Sequence, residues 1–169
     1  MVKSVVLGLG DVCMDVIGSA TRHMEEERLF KNWPKGDDKI LNIVGDYTAE
    51  QDWYWWSKLP KTEVFPVLGE ILPQLFTNIT FASFCRTRSE VAGKSVWVME
   101  NTFNIPFLAV TKLKAQHFDP TSVLIDDDEK ELAAWKGPKV CVPRRWNSGE
   151  ESRVITSVLE QLQKLHREK

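Results

Sequence analysis

Residues 122–135 read SVLIDDDEKELAAW. Val123, Leu124 and Ile125 form a short apolar, partly β-branched run of the kind that fills a buried strand. Three aspartates, Asp126, Asp127 and Asp128, follow at once. Like charges crowded at the end of a buried strand repel one another and lose hydration, so the cluster calls for a compensating cation or for open solvent. The helix-forming run EKELAAWKG, residues 129–137, comes next, and acids are also favoured at a helix N-terminus. A strand that runs directly into a helix is half of a βαβ unit. The fold therefore turns on whether the neighbouring segments alternate in the same way.

They do from residue 78 onward. NITFASFC (78–85) reads as a strand. SEVAGKSVWVMENTF (89–103) reads as a helix with Val91, Val98 and Phe103 inward. FLAVTK (107–112), SVLIDD (122–127) and KVCVP (139–143) read as strands, and Gly137 closes the helix between the last two. Residues 150–169 form a terminal helix, over 150–167, with Ile155, Val158, Leu159, Leu162 and Leu165 on one face. Nearer the start, KSVVLGLGDVC (3–13) reads as a first strand and residues 14–33 as helical. PKGDDK (34–39) reads as a turn, and ILNIVGDY (40–47) as a strand or loop. TAEQDWYWWSKLP (48–60) is expected to be a short helix capped by Thr48 and stopped by Pro60. Residues 62–76 show helical spacing broken by Pro66 and Pro73.

Strands alternating with helices favour an α/β fold, a parallel sheet covered on both faces, with ligands beyond the carboxyl ends of its strands. Three strand ends carry chemistry: GLGD (8–11), CRTR (85–88) and IDDD (125–128). Those ends can share one crevice.

The 169 residues suffice for one domain with a real core. A net charge of −2 excludes a global basic field toward nucleic acid or membrane, though local patches keep nucleic acid among the partners. No apolar stretch reaches the roughly 20 residues that span a bilayer. Cys13, Cys85 and Cys141 have no metal-ligand spacing and suggest a reducing, cytoplasmic setting. GLG does not complete a dinucleotide fingerprint, because Cys13 stands where its third glycine belongs.

In this order the segments resemble the haloacid dehalogenase (HAD) phosphatase superfamily, and within it the 5'(3')-deoxyribonucleotidase-like branch. VLIDDDEKELAAW is similar to the motif that ends a strand in two acidic magnesium ligands. LAVTKLKA is similar to the strand ending in Thr with Lys three residues on. GKSVWV is similar to the Lys-x-x-Trp helix, with Lys94 and Trp97. PKVCVPRRWN is similar to the last strand, which ends in an aromatic and Asn, and DWYWWSKLP to the aromatic-rich cap segment. The likeness spans residues 4–147. It implies a HAD-like Rossmannoid sheet in a single domain, with a small helical cap over about residues 19–62. It implies metal ligands at Asp126 and Asp127, and phosphate contacts from Thr111, Lys114 and either Arg86 or Thr87.

The resemblance also exposes a departure. The family's first motif, Asp-x-Asp-x-Val, supplies the nucleophile and then the acid–base group. Aligned without a gap, those aspartates fall on Gly8 and Gly10. A gapped reading offers Asp11 as nucleophile, with Cys13 at the acid position. The primary expectation is therefore a non-catalytic phosphatase-fold protein, a pseudophosphatase. It would bind a nucleoside monophosphate or phosphate, hold magnesium weakly, or act as a regulator, by analogy a viral one directed at host machinery. One alternative is an active magnesium-dependent 5'-deoxyribonucleotidase built on Asp11. Another is a protein-interaction module with a vestigial pocket, using Trp53, Trp55 and Trp56 or Arg144, Arg145 and Trp146 as its contact surface.

Overall fold

The computed structural model describes residues 4–27, 37–147 and 149–167. Five strands, β1 (Ser4–Gly8), β2 (Asn78–Phe84), β3 (Phe107–Val110), β4 (Val123–Asp126) and β5 (Lys139–Cys141), make one parallel sheet in the order β3-β2-β1-β4-β5. The central strand β1 pairs with β2 through Val5↔Ile79 and with β4 through Val5↔Val123. Its continuous apolar run follows from that position, since a central strand is buried on both faces.

Among the described residues four helices lie between β1 and β2: α1 (Val16–Glu26), α2 (Asp37–Ala49), α3 (Trp53–Ser57) and α4 (Val64–Leu75). The crossover helices α5 (Arg88–Asn101) and α6 (Glu129–Ala134) and the terminal helix α7 (Val154–Arg167) complete the molecule. Strand alternation divides the core in two. Val5, Leu7, Phe81, Ile125 and Val140 pack with Leu68, Leu72, Trp97 and Val158 from α4, α5 and α7. On the other face Val6, Ala82 and Leu124 meet Leu132 and Trp135, with Ala115 and Phe118 beside them. A third cluster, Ile17, Ala20, Ile40 and Val44, joins α1 to α2. No described helix is long and apolar enough to cross a membrane.

Several local expectations are corrected. Residues 40–47 belong to helix α2, because Ile40, Val44 and Thr48 recur at intervals of four and are buried together. Thr48 consequently lies inside α2 and not at a cap. Asp52 caps α3 instead, accepting the Trp55 amide at 2.9 Å. Helix α6 ends at Ala134, so Gly137 does not close it. Gly137 is required by packing, since a Cβ there would stand 1.7 Å from the Pro120 carbonyl oxygen. Val91 and Phe103 were expected inward but are 36% and 88% exposed. Residues 64–75 do form a helix: Pro66 falls in the first turn of α4, where its missing N–H leaves no bond unmade, and Pro73 lies inside its last turn. The expected turn at 34–39 and the end of the helix expected over 14–33 fall largely outside the described residues.

Candidate functional site

The carboxyl edge of the sheet gathers the three strand ends. After Gly8 the chain turns sharply through Asp11, whose φ is 56°. Asp11 N–H donates to the Met14 carbonyl at 2.7 Å, and the Arg144 guanidinium Nε donates to the Asp11 carbonyl at 2.9 Å. The Asp11 carboxylate points back into this turn. Its Oδ1 accepts the Val16 and Ile17 amides at 3.0 and 2.9 Å, closing the N-terminus of α1. Burial pushes the Asp11 carboxyl up to about 7, against the pull of those amides and of the Arg144 charge. Asp11 thus commits Oδ1 to the start of α1 and its backbone to the turn, and the residue also lines the crevice beside it.

Across the edge, Asp126 is enclosed by donors. Its Oδ1 accepts the amides of Asp127 and Asp128 at 2.9 and 3.0 Å. Its Oδ2 lies 2.8 Å from the Lys114 ammonium, which also lies 3.5 Å from Glu131. Lys114, Asp126 and Glu131 are all buried. Burial opposes the charge on Lys114, but the carboxylates of Asp126 and Glu131 outweigh it and raise its pKa. Asp127 accepts the Trp146 indole N–H at Oδ2, 2.9 Å, and the Asn147 amide at its carbonyl, 2.8 Å. Burial, then the charges of Asp11 and Asp126, push the Asp127 carboxyl well above the ordinary carboxylate range. Asp128, the third of the row, caps α6 through the Lys130 amide at 2.8 Å.

Gly8 stands directly against this pair. A Cβ at that position would lie 2.9 Å from Asp126 Oδ2 and 3.1 Å from a Val12 methyl. A side chain on the first strand would therefore meet the very oxygen that Lys114 now neutralises. Gly10 is looser, with its nearest neighbour, Val16, at 3.5 Å.

A magnesium ion at Asp126 and Asp127 would have to displace the Lys114 ion pair. Asp126 Oδ1 and Asp127 Oδ2 accept protein hydrogen bonds, while Asp126 Oδ2 is buried with no hydrogen-bond partner and meets only the Lys114 ammonium at 2.8 Å. Among the described residues no group of three His, Cys, Asp or Glu side chains is placed to hold a metal. The expected phosphate contacts are spread apart. Thr87 caps α5 by accepting the Glu90 amide at 3.1 Å. Arg86 is exposed and lays its guanidinium against Gly45 of α2. Thr111 is exposed beyond β3, while Lys114 is held by Asp126 and Glu131.

The expected contact residues also divide. Trp53 is half exposed, Trp55 is half-buried, and Trp56 is buried at 2% exposure, so Trp56 is corrected from surface to core. Arg144 is likewise corrected: it is buried, and its Nη1 bonds Glu63 at 2.5 Å while Nε holds the β1 turn. Trp146 faces Asp127, and Arg145 remains exposed. Arg144, Arg145 and Trp146 line a crevice of about 300 Å3 together with Asp11, Asp15 and Lys61. Two members of this arrangement were missed in the sequence. Glu131 follows Asp128 at the spacing of a capping box, a signal that points to the helix itself. Glu63 lies 81 residues from Arg144, and no local pattern joins them.

No family model and no curated protein matches this sequence. Solved structures do match in fold. One is a HAD-superfamily hydrolase of subfamily IA, variant 1, from Geobacter sulfurreducens PCA, at 14% identity and a TM-score of 0.50, covering 83% of this chain and 89% of that one. An identity that low speaks for architecture alone. The parallel sheet, its strand order and its crossover helices are those of a HAD-like fold.

Proposed function

We propose that the protein is a non-catalytic HAD-like phosphatase fold that binds a phosphate-bearing small molecule, a nucleoside monophosphate in the first instance, without turning it over. One observation carries this reading: the place where a first-strand carboxylate would act is occupied by Gly8, pressed against an Asp126–Lys114 pair that neutralises itself. Phosphoryl transfer to an aspartate needs a nucleophilic oxygen, an acid for the leaving group, and cations that are free to meet the developing charge. Here Gly8 and Gly10 supply neither oxygen nor proton, Asp11 caps a helix, and Lys114 is already paired.

Binding draws on what remains. The crevice of about 300 Å3 is lined by the cationic side chains of Lys61, Arg144 and Arg145 and by the carboxylates of Asp11, Asp15 and Glu63; Arg144 pairs with Glu63 through Nη1, and its Nη2 is buried without a hydrogen-bond partner. A regulatory role, including a viral one exerted on host machinery, rests on analogy with the resembled branch. It would use the bound state as its signal.

The test is a panel of deoxynucleoside monophosphates with and without magnesium, read by phosphate release and by thermal shift. Stabilisation by ligand with no phosphate release is expected, since a ligand that binds only the folded state raises its stability. Magnesium-dependent release abolished by Asp11→Asn would overturn the reading in favour of a working phosphomonoesterase. Absence of any ligand shift, with a captured protein partner, would favour an interaction module.

A further inference from the structure

Arg144 is 7% exposed and lines the crevice with only part of its donor set in use. Nε donates to the Asp11 carbonyl at 2.9 Å, and Nη1 donates to Glu63 Oε1 at 2.5 Å. Nη2 is buried and has no hydrogen-bond partner. A guanidinium presents its terminal nitrogens as a fork that fits two oxygens of a carboxylate or a phosphate. Glu63 meets that fork at one prong. A buried donor without an acceptor is costly, so the other prong calls for an oxygen that the chain does not supply.

Two features leave Glu63 able to yield its place. Its side chain is 48% exposed, so water takes over its hydration when it leaves. It stands at the N-cap of α4, yet its carboxylate caps no amide of that helix. The other acids of the crevice are engaged elsewhere. Asp15 pairs with Arg22 at 2.8 Å and accepts the Gly18 amide, and Asp11 Oδ1 accepts the Val16 and Ile17 amides.

We infer that Glu63 is a built-in competitor for an oxyanion seat on Arg144: an incoming phosphate group displaces the Glu63 carboxylate and takes both Nη1 and Nη2. The inference rests on the reading of the crevice as a phosphate-binding site, and it names the anchor and the acid that guards it. A phosphate group carries more negative charge than a carboxylate and supplies the missing acceptor for Nη2. Lys61 and Arg145 line the same crevice and raise its local potential. Thr62 and Glu63 form part of the wall where α4 begins, and the positive end of a helix favours an anion. The bond from Nε to the Asp11 carbonyl is untouched by the exchange, so the β1 turn keeps its hold. Removing an acid from this site should therefore tighten binding, the reverse of what losing a contact residue does.

Isothermal titration calorimetry of the full chain with inorganic phosphate, and separately with deoxynucleoside monophosphates, tests this. Glu63→Gln and Glu63→Ala are each expected to bind phosphate at least about fivefold tighter than the wild type, because a like charge leaves the seat. Glu70→Gln removes the same charge from an exposed position of α4 outside the crevice and should bind as the wild type does. Arg144→Lys keeps the charge without the fork, so adding it to Glu63→Gln should abolish the gain. Glu63→Ala leaves the buried guanidinium without its counter-charge. It should melt below the wild type in phosphate-free buffer and recover as phosphate is added. Glu63 variants that bind phosphate no tighter than the wild type overturn the inference, as does an equal gain in Glu70→Gln; nucleotide binding by the wild type would still uphold the reading of a non-turnover site. A gain with phosphate and no binding of nucleotides upholds the seat and removes the nucleotide. Proteins that bind neither probe overturn both.

Discussion

Asp11 shows how one side chain serves the turn, the helix and the local field together. Its left-handed backbone turns the chain, its Oδ1 caps α1, and its burial beside Asp127 favours the protonated form. The sign of the linkage follows. An aspartate pushed up from 3.8 to about 7 binds more protons folded than unfolded between those values. The Asp11 contribution to stability is then fullest below pH 4, declines as pH rises toward 7, and levels off above. Asp11→Asn keeps an oxygen that can accept the Val16 and Ile17 amides but removes the titration. Urea unfolding from pH 4 to 8 should therefore show the variant gaining on the wild type as pH rises. A difference that stays flat over that range would mean Asp11 does not titrate as a buried acid. This role was not legible in the sequence. GLGDVCMD shows an aspartate after a strand, and only the fold reveals that its oxygen turns back onto α1. The two glycines were legible as departures from the resembled motif, and their meaning became physical once Gly8 was seen against Asp126.

At the scale of elements, the strands were readable because β1 and β4 carry short continuous apolar runs in the interior of a parallel sheet, while β2 mixes apolar and polar residues over a strand-length segment. Helix α2 was not, since ILNIVG is rich in β-branched residues and tertiary packing against α1 overrides that local preference. The segment after β5 is the clearest case of a misread element. PRRWN looks like a basic surface loop, yet it brackets the site. Arg144 holds the β1 turn and Glu63, Trp146 holds Asp127, and Asn147 holds the Asp127 and Val142 carbonyls. The two neighbouring arginines therefore predict opposite outcomes. Arg144→Leu leaves the buried Asp11 carbonyl without its donor and should cost about 1–3 kcal/mol. Arg145→Leu, at an exposed position, should fall within about 0.5 kcal/mol of the wild type. Urea midpoints at unchanged slope would measure both, and equal losses in the two variants would contradict the bracket.

For the molecule as a whole, the question is whether an enzyme's scaffold persists around an emptied centre. The sheet order, with Asp126 and Asp127 at the end of β4 and Lys114 reaching Asp126 from the segment after β3, answers to the architecture, and Gly8 answers to the chemistry. The two can be separated by refilling the position. Gly8→Asp would put a Cβ 2.9 Å from Asp126 Oδ2 and a second carboxylate beside it, where like charges in a buried site are unfavourable and Asp126 is held by two amides at Oδ1 and by the Lys114 ion pair. In the presence of a chelator the variant should melt lower than the wild type. Added magnesium should then recover part of the loss, because three clustered carboxylates form an oxygen-rich site that the natural pair does not. The wild type, with Lys114 already across Asp126, should show a smaller magnesium shift. The comparison needs only melting curves of both proteins with chelator and with magnesium. An equal magnesium response in the two would place Gly8 outside the position proposed for a first-strand carboxylate, and with it would go the account of a phosphoryl site without its nucleophile.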